Sequence, residues 1–171
     1  MLMNRNYIVL LFCTLLLGGY CQAGIMQVKI GVNGLTCSQC TRSVEMSLRK
    51  LDFVQEVSMD LAHTEGVIHF KKGAQVNLDK IAQAVKDAGF SLRSLQATMD
   101  PGPESIAGKC MTMDGELFVF LDPPPPPGTR PFQVQVIGDN FLLKKDLKHW
   151  KPRMKHDCGN NSIKTYYITR S

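Results

Sequence analysis

Two cysteines in the segment 34–40 have the spacing and the surroundings to do chemistry. The segment is Gly-Leu-Thr-Cys-Ser-Gln-Cys, so Cys37 and Cys40 are separated by two residues. An apolar stripe of helical spacing follows the second cysteine: Val44, Leu48 and Leu51. This pattern predicts Cys37 in a loop and Cys40 in the first turn of a helix. Unpaired N–H groups and the positive end of the helix dipole there favour thiolate over thiol. Two adjacent thiolates suit a soft ion such as Cu(I), Hg(II), Cd(II) or Zn(II).

Because Cys-x-x-Cys also occurs in redox enzymes and half zinc sites, the surrounding elements must be considered. Alternating or β-branched segments at 26–32, 57–61, 67–70 and 91–97 predict four strands. A second helix is predicted after Asn77, which can cap it, with Gly89 at its C-terminal end. Its apolar face consists of Leu78, Ile81, Val85 and Ala88. The predicted order is βαββαβ, a split βαβ sandwich.

Residues 25–97 resemble the heavy-metal-associated domain family, which includes copper chaperones, metal-binding modules of copper-transporting P-type ATPases and the periplasmic mercury-binding protein. The segment 34–40 resembles the family motif G-M-T-C-x-x-C, with Leu35 as a near-isovolume replacement of the usual Met. The segment 87–90, Asp-Ala-Gly-Phe, resembles the loop before the family's last strand. The resemblance implies a ferredoxin-like α+β fold, with Cys37 and Cys40 as the metal ligands.

The first functional hypothesis is therefore binding and transfer or buffering of a soft metal, without a catalysed reaction. Two thiolates favour Cu(I) over tetrahedral Zn(II), and Hg(II) or Cd(II) also fit. An incoming metal or partner thiolate would meet the loop residue Cys37 first. The alternative is a thiol-disulfide oxidoreductase, with Cys37 as nucleophile and Cys40 as resolving thiol. No aromatic residue precedes Cys37 and no proline lies between the cysteines, which argues against it. A third interpretation is a pair that is permanently oxidised.

The N-terminal segment predicts export. Residues 1–23 have one charge, Arg5, an apolar run and small residues before the boundary, which is typical of a cleaved signal peptide. An uncleaved membrane anchor, or a lipoprotein acylated at Cys21, are the alternatives. Loss of Arg5 lowers the formal net charge of +5 by one. A periplasmic or secreted location argues against nucleic acid as a partner. The expected partners are the metal ion and a metal-transporting membrane protein or another metal-binding domain.

The remainder of the chain predicts a separate small β-rich module. We expect a linker at 98–107 and a domain of unknown family at 108–171. Strands are predicted at 117–121, 132–137 and 164–169, with 141–143 pairing back, and a small barrel is one way to arrange them. The prolines 123–127 predict a stiff polyproline II connector, or alternatively a ligand for a proline-reading domain.

Cys110 and Cys158 lie near the two ends of this module. Two of the six cysteines fall in 1–23, which leaves four in the mature chain. In an exported chain a Cys110–Cys158 disulfide is the expected state. The alternative is a second soft-metal site, for which the neighbouring candidate ligands are Met111, Met113, Met154 and His156.

Two histidines, one phenylalanine and a run of basic residues also allow predictions. His63 is expected in a hairpin turn and His69 on a solvent-facing side of a strand, so neither is a favoured ligand. Phe90 is expected in the core or as a lid beside the metal loop. A run of basic residues predicts either a solvated face or a docking patch for an acidic partner or an anionic membrane. The run consists of Lys144, Lys145, Lys148, Lys151, Arg153 and Lys155, with Trp150 among them.

Overall fold

The structure, a computed structural model, describes residues 24–102, 105–155, 158 and 163–171. The signal peptide expected at 1–23 and the candidate ligand His156 lie outside the described residues. No described helix is both long enough and apolar enough to cross a bilayer.

The N-terminal half has the predicted βαββαβ order. Its elements are β1 (Gly24–Asn33), α1 (Ser38–Arg49), β2 (Val54–Asp60), β3 (Glu65–Phe70), α2 (Leu78–Asp87) and β4 (Ser91–Asp100). The C-terminal half is rich in strands, as expected. Its elements are β5 (Ile106–Ala107), β6 (Cys110–Met113), β7 (Glu116–Phe120), β8 (Phe132–Ile137), α3 (Lys144–Trp150), a 3₁₀ turn (Lys151–Arg153) and β9 (Thr165–Arg170). The fold is thus α+β, a ferredoxin-like sandwich followed by a β-rich region.

All strands of the described residues belong to one sheet, in the order β2-β3-β1-β4-β8-β9-β7-β6-β5. The strands pair antiparallel except for β7 and β9, which run parallel. The two halves join where β4 pairs with β8, with Ala97 opposite Val134 and Met99 opposite Phe132. The C-terminal half therefore extends the first sheet instead of closing into a barrel.

Local signals explain the helix boundaries around the first half. Asn77 accepts a hydrogen bond through its side chain from the Lys80 N–H at 2.9 Å and so begins α2. Gly89 has φ +89°, the left-handed conformation that ends α2, as its position in the sequence predicted. In α1 the buried face is Val44 and Leu48, whereas Leu51 lies just beyond the helix and is partly buried.

One hydrophobic core extends through both halves. It includes Val28 and Ile30 of β1, Ile81 of α2, Val136 of β8 and Ile168 of β9. A second, smaller cluster contains Ile137, Leu147 and Tyr167. Because successive residues of a strand point to opposite faces, Ile137 and Tyr167 lie on the face opposite Val136 and Ile168. The helix α3 therefore covers the sheet face opposite the one covered by α1 and α2.

Two sequence-based expectations differ from the structure, and the structure adds a helix that was not expected. Residues 98–100, expected in the linker, continue β4 because they pair with β1 on one side and β8 on the other. Residues 141–143 were expected in a strand but lie in the turn that leads into α3, with Leu143 as its N-cap. The basic run begins in α3, where Leu147 anchors the helix to the second cluster. The division into separate domains remains a prediction.

Candidate metal centre

The loop that carries the two cysteines is fixed by the residues just before them. Gly34 has φ +89°, which lets the chain turn sharply after β1. Leu35 follows with 4% of its surface exposed and belongs to the main core. The buried Leu35 side chain thereby anchors the loop to the core, and Thr36 and Cys37 are left exposed. The expectation that Leu35 can replace Met in this position agrees with its burial.

Cys37 is the N-cap residue of α1. Its backbone is extended, with φ −145° and ψ 158°, and its Sγ accepts a hydrogen bond from the Cys40 N–H at 3.1 Å. Its carbonyl oxygen accepts from the Thr41 N–H at 3.1 Å and from the Thr41 hydroxyl at 3.2 Å. A sulfur in the capping position takes the place of the usual Ser or Asp oxygen. When the pair is reduced, the Cys40 N–H that donates to this sulfur and the helix dipole would together stabilise a thiolate at Cys37.

Cys40 lies in the first turn of α1 and differs from Cys37 in burial. Cys37 is exposed, whereas Cys40 is partly buried and packs against the main core. The two Cα atoms are 5.2 Å apart and the two sulfurs are in direct contact, paired as a disulfide in the structure. One sulfur therefore faces solvent and the other is backed by apolar side chains. This is the arrangement expected from the loop and helix positions of the two residues.

In the part of the chain that the structure describes, the cysteine pair has no third ligand of the ordinary kind nearby. Among the described residues, no group of three or more His, Cys, Asp or Glu side chains is positioned to hold a metal ion. His63 lies in the β2–β3 turn, as expected, and its Nδ1 is 2.6 Å from Asp60 Oδ2, which raises the pKa of His63. His69 is exposed on β3, also as expected. The described residues of this candidate centre thus offer two sulfurs as ligands.

Phe90 lies beside the metal loop. It is partly buried against the main core, and a Cβ placed on Gly34 would lie 3.8 Å from its Cδ1 atom. The ring thus belongs to the core and also flanks the start of the loop, which agrees with both parts of the expectation for this residue.

The second cysteine pair is also brought together. Cys110 and Cys158 have Cα atoms 6.0 Å apart and are paired as a disulfide. The methionines proposed as extra ligands are placed elsewhere. Met111 and Met113 lie in the main core, with 0% and 5% of their surface exposed, and Met154 packs against the second cluster. Because strand residues alternate, Met111 and Met113 point away from the face that Cys110 occupies. The methionines of β6 are core residues.

A polar cluster that sequence reasoning did not identify joins the two halves. The Tyr166 hydroxyl lies 3.3 Å from the Asp79 carboxylate and 3.5 Å from that of Glu116, and Lys164 forms an ion pair with Asp79. Partial burial and the nearby Asp79 charge raise the pKa of Glu116 to about 7. Burial also raises the pKa of Tyr166. No local pattern could have indicated this cluster, because it depends on α2 meeting β7 and β9.

Part of the chain is similar in sequence to known proteins. The family model of the heavy-metal-associated domain matches residues 29–91. The copper-transporting ATPase 1 of Rhizobium meliloti (strain 1021) is 36% identical over 80 residues, 47% of this chain and 9% of the relative. The mercuric transport protein periplasmic component of Pseudomonas fluorescens is 32% identical over 68 residues, 40% of this chain and 74% of the relative.

Among solved structures, the oxidized MerP from Ralstonia metallidurans CH34 is 28% identical, with a TM-score of 0.37, over 40% of this chain and 97% of that one. The chain spans at most a tenth of the length of the first transporting ATPases it matches, 9% of the copper-transporting ATPase 1 and 7% of a cation-transporting ATPase of Oryza sativa subsp. japonica. It spans about three quarters of the mercuric transport relative, with the 32% identity given above. The matched residues 29–91 contain both cysteines of the candidate centre. The chain belongs to the heavy-metal-associated domain family.

Proposed function

We propose that this protein binds one soft metal ion through Cys37 and Cys40 and passes it to a partner. The favoured ion is Cu(I). The carrying observation is the position of the two sulfurs at the start of α1. They are in contact, one is exposed, and the Cys37 sulfur accepts a backbone N–H. Once the disulfide is reduced, thiolates so placed bind soft cations, so binding and transfer, rather than catalysis, is the proposed role.

The number of ligands supports Cu(I) over Zn(II). Zinc sites in proteins are almost always tetrahedral and need further ligands, which the described residues near Cys37 and Cys40 do not offer. Thiolate ligands select Cu(I), and Hg(II) or Cd(II) would satisfy the same pair. The names of the relatives, copper-transporting ATPases and a mercuric transport protein, support soft metals in general.

The difference in burial supports an order of events in transfer. A partner thiolate would attack the metal from the exposed side, beside Cys37, and form a three-sulfur intermediate. The metal–sulfur bond to one cysteine would then break, and a second thiolate of the partner would replace the other cysteine, so that the ion leaves on two partner sulfurs. The two thiolates released here would remain ionised or take up a proton each. Metal exchange of this kind moves no electrons. The partner is a metal-transporting membrane protein or another metal-binding domain.

The proposed location is outside the cytoplasm. The predicted signal peptide at 1–23 supports this, as does the mercuric relative, which is named a periplasmic component. In an oxidising compartment the Cys37–Cys40 disulfide must first be reduced by thiol–disulfide exchange with a dithiol, which gives up two electrons and two protons and becomes a disulfide itself. We further propose that Cys110 and Cys158 stay bonded there. The oxidoreductase alternative draws no support from the relatives, which are named for metal transport.

Metal competition on the reduced protein tests the proposal. Under anaerobic conditions the protein should take about one Cu(I) per chain from a chromophoric chelator. Substitution of a residue that hydrogen-bonds to a metal ligand typically lowers metal affinity by roughly 10–100-fold. The Cys37→Ser and Cys40→Ser variants remove a ligand itself and should lose more affinity than that. Ser38→Ala, an exposed change between the two cysteines, is the matched control and should bind normally. Undiminished affinity in the double Ser variant would refute the assignment.

A further inference from the structure

The positive charge of this chain is concentrated in one short segment. Residues 144–155 hold six lysines and arginines and one aspartate, whereas the whole chain holds 20 basic and 15 acidic residues. The rest of the chain therefore has 14 residues of each sign, and the formal excess of +5 belongs to these twelve residues. The excess positive charge is therefore a local feature of residues 144–155 and not a property of the whole surface. This segment lies outside the family-matched region 29–91.

The structure keeps these charges on the surface and mostly unpaired. We call the six basic side chains, Lys144, Lys145, Lys148, Lys151, Arg153 and Lys155, the basic surface. All six residues are exposed. Among the described residues, the one carboxylate within ion-pair distance of any of them is Asp139, whose Oδ1 is 4.0 Å from Lys151 Nζ. The field of the basic surface is thus available to a charged partner.

A cleft of about 440 Å³ opens at one end of the basic surface. Lys109, Arg153 and Lys155 contribute its cations, and no carboxylate of the described residues lines it. The Arg153 guanidinium is held in place because it donates to the Leu121 carbonyl and lies 4.9 Å from the centre of the Trp150 ring. A fixed guanidinium flanked by two lysines is suited to a carboxylate.

The apolar side chains of this region favour a polypeptide over a membrane. A helix that lies in a bilayer surface needs an apolar face in contact with the lipid. Here Leu147 is 1% exposed and belongs to the second cluster, and Trp150 also packs against that cluster. The large exposed apolar side chains of the described residues, Met26, Met46 and Leu61, lie elsewhere in the chain. The basic surface can therefore bind by charge and hydrogen bonding but has nothing to insert.

We infer that the basic surface is a docking site for an acidic polypeptide segment, with one carboxylate of that segment bound in the cleft between Lys109, Arg153 and Lys155. This site is separate from the cysteine centre and does not depend on the bound metal. It provides attraction at a distance and orientation at contact, which is how complementary charges act in protein association.

Trp150 allows a direct test because it is the one tryptophan of the chain and lies within the basic surface. The purified protein is titrated with a poly-glutamate peptide of about 20 residues at low salt, and Trp150 fluorescence is recorded. We expect saturable binding that weakens as ionic strength rises, since exposed charges are screened beyond about 10 Å at 0.1 M salt. The variant Lys145→Gln/Lys148→Gln/Lys155→Gln should bind about tenfold more weakly or worse, at up to about 1 kcal/mol per lost pair.

A matched triple variant distinguishes docking from net charge. Lys50→Gln/Lys72→Gln/Lys86→Gln removes three exposed lysines of the metal-binding half, so it changes the net charge equally. It should bind the peptide as the unmodified protein does. Equal loss in both variants, or no binding at low salt, would overturn the inference. Binding to phosphatidylglycerol vesicles without binding to the peptide would overturn it too, in favour of a membrane surface.

Discussion

At the residue scale, Cys37 and Cys40 differ in environment although two residues separate them. Cys37 caps α1 from an exposed position, whereas the chain turns Cys40 towards Val44 and the main core. The difference follows from helix geometry, since Cys40 and Val44 share one face. A metal ion or a reagent approaching from solvent therefore meets the first sulfur before the second.

Thiol labelling tests this order. In the reduced apo protein, Cys37 should be alkylated several times faster than Cys40, because one thiol is exposed and the other is partly buried. Mass spectrometry of quenched samples gives the two rates, and the single variants Cys37→Ser and Cys40→Ser identify which rate belongs to which thiol. Faster labelling of Cys40 would reverse the entry order proposed for the metal.

The Glu116 carboxyl is a second single residue with a testable effect, because it makes the free energy of unfolding depend on pH. Its pKa is about 7 in the folded protein, above the usual 4.5, so the folded state holds the proton more tightly than the unfolded state. The contribution to stability is complete below about pH 4.5 and is lost as the pH rises to about 7. Because Glu116 is only partly buried, solvent screening limits the effect to about 1 kcal/mol.

The variant Glu116→Gln should therefore have a flatter stability profile. Urea unfolding at intervals from pH 4.5 to 8 should show less loss of unfolding free energy on the alkaline side than in the unmodified protein. Glu56→Gln, which removes an exposed acid of β2, is the control and should keep the original slope. An unchanged slope in Glu116→Gln would show that the cluster with Asp79 and Tyr166 does not perturb this carboxyl.

At the element scale, the Cys110–Cys158 pair connects β6 to the segment that precedes β9. The two residues are 48 positions apart, so the bond closes a long loop that contains α3. In the chain-entropy description such a loop contributes about 4 kcal/mol by restricting the unfolded chain. The C-terminal strands have few helices to cover them, so this contribution is substantial.

The effect of the Cys110–Cys158 bond on the unfolding free energy can be measured in a variant that lacks the Cys37–Cys40 pair. In a Cys37→Ser/Cys40→Ser protein, reduction should lower the unfolding free energy by about 4 kcal/mol. The same protein with Cys110→Ala and Cys158→Ala should be insensitive to reductant. Free thiols at both positions in protein from its native compartment would contradict the proposed bond.

Some elements were predictable because their signals are local. Asn77 as a helix cap and Gly89 as a helix end each act through one residue, and the strand at 132–137 follows from strict alternation. The helix α3 was missed because its one buried residue, Leu147, leaves almost no periodic pattern. The pairing of β4 with β8 could not be predicted, since sequence patterns do not record which strands are neighbours.

At the scale of the whole molecule, the two halves share a sheet and a core. The central β4 pairs with β1 on one side and β8 on the other, and the main cluster includes residues of both halves. Without the C-terminal half, β4 would be an unpaired edge. The sequence indicated the metal-binding half well but predicted a linker where the strand continues.

A continuous core predicts cooperative unfolding. Trp150 fluorescence reports on the C-terminal half, and hydrogen exchange of β1 amides reports on the metal-binding half. Both should give the same midpoint in urea, because neither half can lose its strands without exposing the other. Two separate midpoints would instead favour two independent domains joined near residues 98–107.

Two sulfurs, those of Cys37 and Cys40, and no other protein atoms are proposed to hold the metal. X-ray absorption of the Cu(I)-loaded reduced protein tests it most directly, because the spectrum counts the sulfur and the nitrogen or oxygen neighbours of the ion. We predict two sulfur neighbours, no nitrogen neighbour, and loss of the signal in Cys37→Ser/Cys40→Ser. A first shell containing imidazole nitrogen, or an unchanged spectrum in that variant, would contradict the account.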